Sequence, residues 1–256
     1  MHILVRETRG LDEAEPAIDL GHSPADLVFL SFSDSDLGSA ASAWAANRDR
    51  LPSLRLANLS RLKHPMSVDL YVERVIENAR CVIVRLLGGL DYWRYGAEEL
   101  AHAARKAGIA LALLPGDGRD DHRLAELSTV SSEALARLDQ YFAQGGPINM
   151  NRGLQFAGHL AGLAPDHGLA AEPLPTHGLY DLDLADKPGR PLSVIVFYRA
   201  YLLASDLAPM DALAASLNAK GLNVRAAYAG SLKDADSARF VATTLRDLKP
   251  AVVLNA

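Results

Sequence analysis

The sequence predicts an α/β protein built from two regions of parallel strands and helices. Short apolar runs rich in branched side chains alternate with longer stretches of helical periodicity, which is the pattern of βα units. Residues 164–191 are rich in proline and glycine and favour no regular element. With 256 residues, 49% of them apolar, the chain can bury a core on either side of this stretch. We therefore expect a flavodoxin-like, parallel-sheet domain over residues 1–163, a linker over 164–191 and the start of a second, incomplete α/β domain over 192–256.

The first region alternates predicted strands with predicted helices. Buried strands are predicted at residues 2–7, 27–31, 54–58, 81–86 and 109–114. A helix is predicted over residues 68–78, because Val72, Val75 and Ile76 recur at helical spacing. Ser67 is expected to cap it. Two further helices are predicted over residues 132–142 and 147–160.

The second region repeats the pattern on a smaller scale. Strands are predicted at residues 192–198, 222–228 and 252–254, and helices at 209–220 and 234–248. Gly221 is expected to end the first of these helices. No helix follows the last strand, so one edge and one face of this sheet would be left bare. We therefore expect the chain to be the amino-terminal part of a longer protein.

Composition excludes several classes of partner. The net charge of −5 provides no basic stripe for nucleic acid. The single cysteine, Cys81, lies in an apolar run and predicts a buried thiol in a reducing cytoplasm. No apolar stretch approaches the roughly 20 residues that span a bilayer, so no membrane contact is expected. The sequence also lacks the Walker loop, the dinucleotide fingerprint and the spaced histidine pairs of zinc sites.

Several segments resemble, in order, the start of a known enzyme subunit. They are LVFLSFSDSDL at residues 27–37, LANLSRLKHPMSVD at 56–69, RLLGGLDYWRYG at 85–96, LPGDGR at 114–119, VFYR at 196–199 and KGLNV at 220–224. The chain is similar along nearly its whole length to the amino-terminal region of the large subunit of aerobic cobaltochelatase, in the family that also contains the large subunit of magnesium chelatase. One departure concerns residues 204–206, Ala-Ser-Asp, where the family pattern places a glycine before the acid.

The resemblance implies a role in cobalamin biosynthesis. The family's large subunit holds the corrin precursor hydrogenobyrinic acid a,c-diamide while two smaller subunits, including an AAA+ ATPase, drive insertion of cobalt. The whole complex is a ligase that forms nitrogen–metal bonds and uses cobalt, ATP and magnesium. No cofactor is expected in this chain, which is expected to be inactive alone, with its catalytic residues elsewhere.

The segment over residues 85–96 is the first candidate substrate site. It leaves a predicted strand through a glycine pair and then presents three aromatic residues, whose flat faces suit a macrocycle. Two arginines would bind the peripheral carboxylates of a corrin. The candidate residues are Arg85, Gly88, Gly89, Tyr92, Trp93, Arg94 and Tyr95. The alternative is that Trp93 and Tyr95 only pack against the following helix.

Other polar residues lie near predicted strand ends, and most of them allow both a functional and a structural interpretation. Tyr198 and Arg199 end a predicted strand and form a second candidate substrate contact, the alternative being a surface arginine in an interdomain ion pair. Residues 33–36, Ser-Asp-Ser-Asp, either cap the next helix or collect a divalent cation. Residues 116–121 read as a turn and a helix start. His64 is the histidine we single out, although a lone histidine is more often structural.

Two other functions stay open. One is the magnesium chelatase counterpart, which acts on a porphyrin. The other is a binding module without chemistry, whose two α/β lobes close on a small ligand.

Overall fold

The computed structural model describes residues 16–119 and 121–256. In chain order the elements are β1 (Leu27–Ser31), α1 (Asp34–Ala46), β2 (Leu54–Asn58), α2 (Pro65–Arg74), β3 (Cys81–Leu86), α3 (Arg94–Ala107), β4 (Ala110–Pro115), α4 (His122–Leu127), α5 (Ser132–Gln144), α6 (Gly146–Leu160), β5 (His177–Tyr180), β6 (Leu192–Tyr198), α7 (Ala200–Leu203), α8 (Ala208–Ala219), β7 (Asn223–Ala229), α9 (Ala235–Leu248) and β8 (Val252–Asn255). Short 3-10 turns occupy Leu59–Arg61, Ile76–Asn78 and Leu90–Tyr92.

The chain divides into two compact units, each built on one sheet. Of the described residues, the first unit comprises 16–37, 50–119, 121–136 and Phe156–Asp166. The second comprises Gly38–Asp49, Arg137–Gln155 and His167–Ala256. The predicted α/β fold is therefore confirmed. The strand predicted over residues 2–7 lies outside the described residues.

The sheet of the first unit is parallel, with strand order β2-β1-β3-β4. This is the order of flavodoxin-like folds. Every residue of the central strands β1 and β3 is buried, as their continuous apolar runs predict. One face of the sheet packs against α2 and α3 through residues such as Leu30, Val84 and Leu100. The predicted strands 27–31, 54–58 and 81–86 are confirmed. The strand predicted over residues 109–114 is β4, which is shifted by one residue.

Helix α2 begins earlier than predicted. His64 is its N-cap, and the His64 Nδ1 accepts a hydrogen bond from the Met66 backbone N–H at 3.2 Å. Pro65 follows at the first helical position, where its missing N–H costs nothing. Ser67, the predicted cap, is instead buried, and its Oγ accepts from the Ile18 backbone N–H at 2.7 Å. His64 therefore has a structural role.

The sheet of the second unit has the order β5-β7-β6-β8. β6, β7 and β8 are parallel, as predicted for the second region. β5 pairs antiparallel with β7, inside the stretch that the sequence predicts to lack regular elements, and that prediction is wrong. Gly178 faces Tyr228 in this pairing, and a β-carbon at Gly178 would lie 2.7 Å from the Tyr228 hydroxyl oxygen. Gly178 is therefore required by its contact with Tyr228, which is distant in the sequence, although the residues around Gly178 are typical of a turn.

The part of the predicted linker before β5 is held against α6. Asn149 is 3% exposed, and its Oδ1 accepts from the Glu172 backbone N–H at 2.7 Å. Its Nδ2 donates to the carbonyl oxygens of Glu172, at 2.8 Å, and Gly145, at 2.9 Å. Arg152 adds a hydrogen bond to the Ala170 carbonyl oxygen at 2.9 Å. This segment is thus fixed by side chains rather than by a backbone ladder.

Within the described residues, every helix is too short or too polar to traverse a lipid bilayer.

Candidate functional site

The carboxyl ends of β1 and β3 define the candidate site of the first unit. β2 flanks β1 on one side and β3 flanks it on the other, so the direction in which strands are added reverses between β1 and β3. At such a switch point, parallel α/β sheets open a crevice just beyond the strand ends, where ligands bind. The chain leaves these ends through residues 32–36 after β1 and residues 87–92 after β3.

Arg85 is the last residue but one of β3, close to the carboxyl end of the strand, and is paired inside the protein. Its side chain is 9% exposed, and one Nη donates to Asp36 Oδ1 at 2.8 Å. The other carboxylate oxygen of Asp36 accepts from Ser31 Oγ at 2.9 Å. Loss of one partner from a buried ion pair leaves an uncompensated charge. The carboxylate partner of Arg85 is therefore Asp36, and the predicted contact with a substrate carboxylate is corrected to this internal pair.

The acidic residues after β1 make hydrogen bonds within the protein. Ser33 Oγ accepts from the Asp36 backbone N–H at 3.2 Å, as expected of a helix cap. Asp34 Oδ1 accepts from Asn58 Nδ2 at 2.7 Å. In the part of the chain that the structure describes, no group of three or more His, Cys, Asp or Glu side chains is placed to hold a metal ion. The capping interpretation is thus confirmed for Ser33.

Trp93 packs in the core of the first unit. It is 5% exposed, and its Nε1 donates to the Leu62 carbonyl oxygen at 2.8 Å. Its six-membered ring lies on Gly96, where an added β-carbon would come within 2.2 Å of the ring. No face of Trp93 is open to a macrocycle, so its predicted role as a stacking platform is corrected to the alternative, packing on the following helix.

Tyr92 and Tyr95 remain at the surface. Tyr92 is 54% exposed, and its ring meets Phe32 edge to face with ring centroids 5.0 Å apart. Tyr95 is 42% exposed, and its hydroxyl donates to Asp69 Oδ1 at 2.6 Å. This hydrogen bond raises the pKa of Tyr95 to about 12. Phe32 and Tyr92 therefore bring an aromatic pair from both strand ends to the switch point.

The glycine pair after β3 is required by its conformation and by a close neighbour. Gly88 and Gly89 have φ of 84° and 75°, in the left-handed region that favours glycine. A β-carbon at Gly89 would lie 2.9 Å from Asp121 Oδ2. The same oxygen accepts from the Leu90 backbone N–H at 3.0 Å. The glycines thus let the loop after β3 approach the loop after β4.

Arg94, the first residue of α3, lies at the surface and pairs with one acid of the preceding 3-10 turn and one acid of α3. Its side chain is 49% exposed and pairs with Asp91 and, at 3.5 Å, with Glu98. The hydrogen bonds from Arg94 and Arg123 hold the pKa of Asp91 below its ordinary value. Exposed ion pairs of this kind are weak and exchange readily. The contact of Arg94 with a substrate carboxylate thus stays a prediction.

The predicted turn and helix start over residues 116–121 is confirmed at its helical end. Asp121 is the N-cap of α4, and its Oδ1 accepts from the Arg123 backbone N–H at 3.2 Å. Sequence reasoning did not single out Arg123 or Phe32. The sequence around Arg123 and Phe32 does not indicate a site, because each contacts the site through a residue of the segment that follows β3.

Tyr198 and Arg199 end β6 in the second unit. Tyr198 is 49% exposed. Arg199 donates to two backbone carbonyl oxygens, from Nε to Pro175 at 2.9 Å and from an Nη to Leu174 at 2.7 Å. Arg199 therefore anchors the segment before β5, and these two bonds are neither a ligand contact nor the ion pair considered as its alternative.

Ser205 stands where the family pattern places a glycine, and its own backbone lies in the left-handed region that favours glycine. It lies just before Asp206 with φ of 55°. Its Oγ is 2.9 Å from Ser39 Oγ. The departure at this turn thus keeps a left-handed backbone and adds a side-chain hydrogen bond.

Comparison with known proteins covers both units. A family model described as CobN/Magnesium Chelatase matches residues 139–256. The chain is 37% identical over 274 residues to an aerobic cobaltochelatase subunit CobN of Sinorhizobium sp, covering 100% of this chain and 21% of that protein. It is 35% identical over 268 residues to the CobN subunit of Pseudomonas aeruginosa, again covering 100% of this chain and 21% of the relative. The chain thus spans about a fifth of the length of these curated relatives.

A solved structure shares the fold. The catalytic subunit of cobaltochelatase from Mycobacterium tuberculosis superposes with a TM-score of 0.67 at 25% identity, over 84% of this chain and 17% of that one. The family model covers the second sheet and the helices before it, whereas the curated relatives also align with the crevice after β1 and β3. On these matches, residues 139–256 belong to the CobN/magnesium chelatase family, and the whole chain is similar to aerobic cobaltochelatase subunits.

Proposed function

We propose that this chain forms part of the tetrapyrrole-binding surface of a cobaltochelatase large subunit. In this proposal the complete enzyme is a cytoplasmic ligase that inserts cobalt into hydrogenobyrinic acid a,c-diamide. Two smaller subunits, one of them an AAA+ ATPase, supply the energy of ATP hydrolysis. The identities of 37% and 35% to cobaltochelatase subunits support cobalt and a corrin over the magnesium counterpart.

The observation that carries the proposal is the exposed Tyr92 at the switch point. A corrin offers a broad apolar face and a rim of carboxylates and amides. Tyr92 presents an aromatic ring that Phe32 supports from the side. Arg94, close by along the chain, offers a cation that forms charge-assisted hydrogen bonds with carboxylates. Gly88 and Gly89, with their left-handed backbone, let the loop that carries Tyr92 lie against Asp121.

The part assigned to this chain is binding and orientation. Tyr92 stacks on the macrocycle and Arg94 pairs with a peripheral carboxylate. The buried pair of Arg85 and Asp36 joins the end of β3 to the first turn of α1. Tyr95 is a further exposed aromatic contact within this proposal, and the contact predicted at Tyr198 in the second unit stays a separate prediction. Metal delivery and proton removal from the ring nitrogens are assigned to other parts of the enzyme.

Absorbance titration of the full-length protein with hydrogenobyrinic acid a,c-diamide tests the proposal. Tyr92→Ala is expected to raise the Kd about 5- to 150-fold, because aromatic stacking contributes about 1–3 kcal/mol by analogy with nucleobases. Tyr92→Phe is the matched control and should bind like the wild type, since stacking needs the ring and not the hydroxyl. Wild-type affinity in Tyr92→Ala contradicts the proposal. Tighter binding of protoporphyrin than of the corrin would instead favour the magnesium counterpart.

A further inference from the structure

The loops that follow β3 and β4 are joined by one arginine. Arg123 donates from Nε and one Nη to the two oxygens of Asp121, both at 2.8 Å. Its other Nη lies 3.0 Å and 3.2 Å from the two oxygens of Asp91. Asp121 belongs to the loop after β4, and Asp91 belongs to the 3-10 turn after β3. The planar fork of an arginine suits such a double bridge, which a single ammonium group cannot reproduce.

This bridge acts on the turn that carries Tyr92. Asp121 Oδ2 also accepts from the Leu90 backbone N–H, so the turn is held at its first residue by Asp121 and at its second by Arg123. Tyr92 is the third residue, and its backbone N–H donates to the Gly89 carbonyl oxygen at 3.2 Å. Every residue of the turn is thus held before a ligand arrives.

The two carboxylates of the bridge are charged throughout the neutral range. Hydrogen bonds from Arg123 hold the pKa of Asp121 well below its ordinary value, and those from Arg94 and Arg123 lower the pKa of Asp91. Both carboxylates therefore stay ionised through the neutral range.

We propose that Arg123 is a positioning residue for tetrapyrrole binding, which fixes the turn Leu90–Tyr92 so that the Tyr92 ring is already oriented for stacking. The inference rests on the proposed function, since it concerns the same surface. A ring held in its bound orientation loses less conformational freedom on binding, which increases affinity without any new contact. Arg123 itself need not touch the ligand.

The two halves of the bridge differ in exposure. The Arg123 side chain is 36% exposed and that of Asp91 is 63% exposed. Ion pairs at such exposure add little to folding stability. The Asp121 side chain is only 12% exposed, so Arg123→Ala should lower the unfolding midpoint through that half of the bridge. The readout that distinguishes positioning is therefore the affinity, measured with and without Tyr92.

A double-mutant cycle with hydrogenobyrinic acid a,c-diamide as the probe tests this in the full-length protein. Arg123→Ala is expected to raise the Kd about threefold to tenfold when Tyr92 is present, and to have no further effect in a Tyr92→Ala background. Arg119→Ala is the matched control, because Arg119 lies in the same loop, is 87% exposed and approaches Asp117 only at 3.9 Å.

The outcomes distinguish the two proposals. If Tyr92→Ala raises the Kd while Arg123→Ala leaves it unchanged, the positioning role is overturned and the proposed function stands. An equal effect of Arg123→Ala with and without Tyr92, or an equal effect of Arg119→Ala, also overturns the positioning role. If Tyr92→Ala binds like the wild type, both proposals fail together.

Discussion

Alanine at Gly96 should destabilise this protein, although alanine usually stabilises a helix. Gly96 is the third residue of α3 and lies under the indole of Trp93. A β-carbon there would lie 2.2 Å from two indole carbons and 2.6 Å from a third. Carbon atoms in favourable contact are about 3.5–4.0 Å apart. Accommodating the methyl group therefore requires a shift of more than 1 Å by roughly these distances.

The surroundings of Trp93 resist that shift. The indole is 5% exposed, and its Nε1 would lose the hydrogen bond to the Leu62 carbonyl oxygen if it moved outward. Overpacking of this kind costs about 1–3 kcal/mol, and the short contacts place Gly96 at the upper end of that range. The helix propensity of alanine offsets up to about 1 kcal/mol. The expected net loss in the free energy of unfolding is about 2 kcal/mol.

Urea denaturation followed by far-ultraviolet circular dichroism measures this loss, and Gly38→Ala is the matched control. Gly38 lies inside α1 with nothing within 4 Å of the position of its β-carbon, so alanine there should stabilise. The two substitutions should thus have opposite signs. In a Trp93→Leu background, Gly96→Ala should cost less, because the indole is gone. A Gly96→Ala protein as stable as the wild type would refute the burial of Trp93 against α3.

Two further predictions concern buried polar groups. Asn149→Ala should lower the free energy of unfolding by about 1–3 kcal/mol, because it leaves the Glu172 backbone N–H without its acceptor, and urea denaturation measures this. Asn151→Ala, in the same helix, should leave the free energy of unfolding nearly unchanged, since Asn151 Oδ1 has no hydrogen-bond partner among the described residues. An equal loss of stability in both variants would contradict the reasoning. Burial raises the pKa of the Cys81 thiol to about 12, so at pH 8 Ellman's reagent should react with the protein in denaturing urea and not in the native state. Prompt reaction of the native protein would show that β3 is accessible to solvent.

The strands could be predicted because their signal is local. β1, β2, β3 and β6 occupy the predicted residues, since continuous runs of branched and apolar side chains are typical of buried parallel strands. Helix ends were harder to predict. The start of α2 depends on whether His64 or Ser67 caps it, and both residue types are able to accept a hydrogen bond from the backbone.

The roles of individual site residues could not be read in the same way. Trp93 and Tyr92 are neighbours in the sequence, yet one is buried and the other is exposed. Trp93 packs on Gly96 and donates a hydrogen bond to the Leu62 carbonyl oxygen, whereas Tyr92 contacts Phe32. An aromatic residue after a strand has the same local pattern in both situations.

The sequence by itself determined the fold class, the positions of most strands and the resemblance to a chelatase subunit, because these depend on periodicity and on the order of motifs along the chain. Only the tertiary structure decided that Arg85 is neutralised by Asp36, that Arg199 holds a backbone segment and that Arg123 joins two loops. The partners of these arginines lie 49, 24 and 32 residues away along the chain. An arginine is equally able to bind a ligand, a carboxylate or a carbonyl, and the choice is made by which group the fold brings within hydrogen-bonding distance.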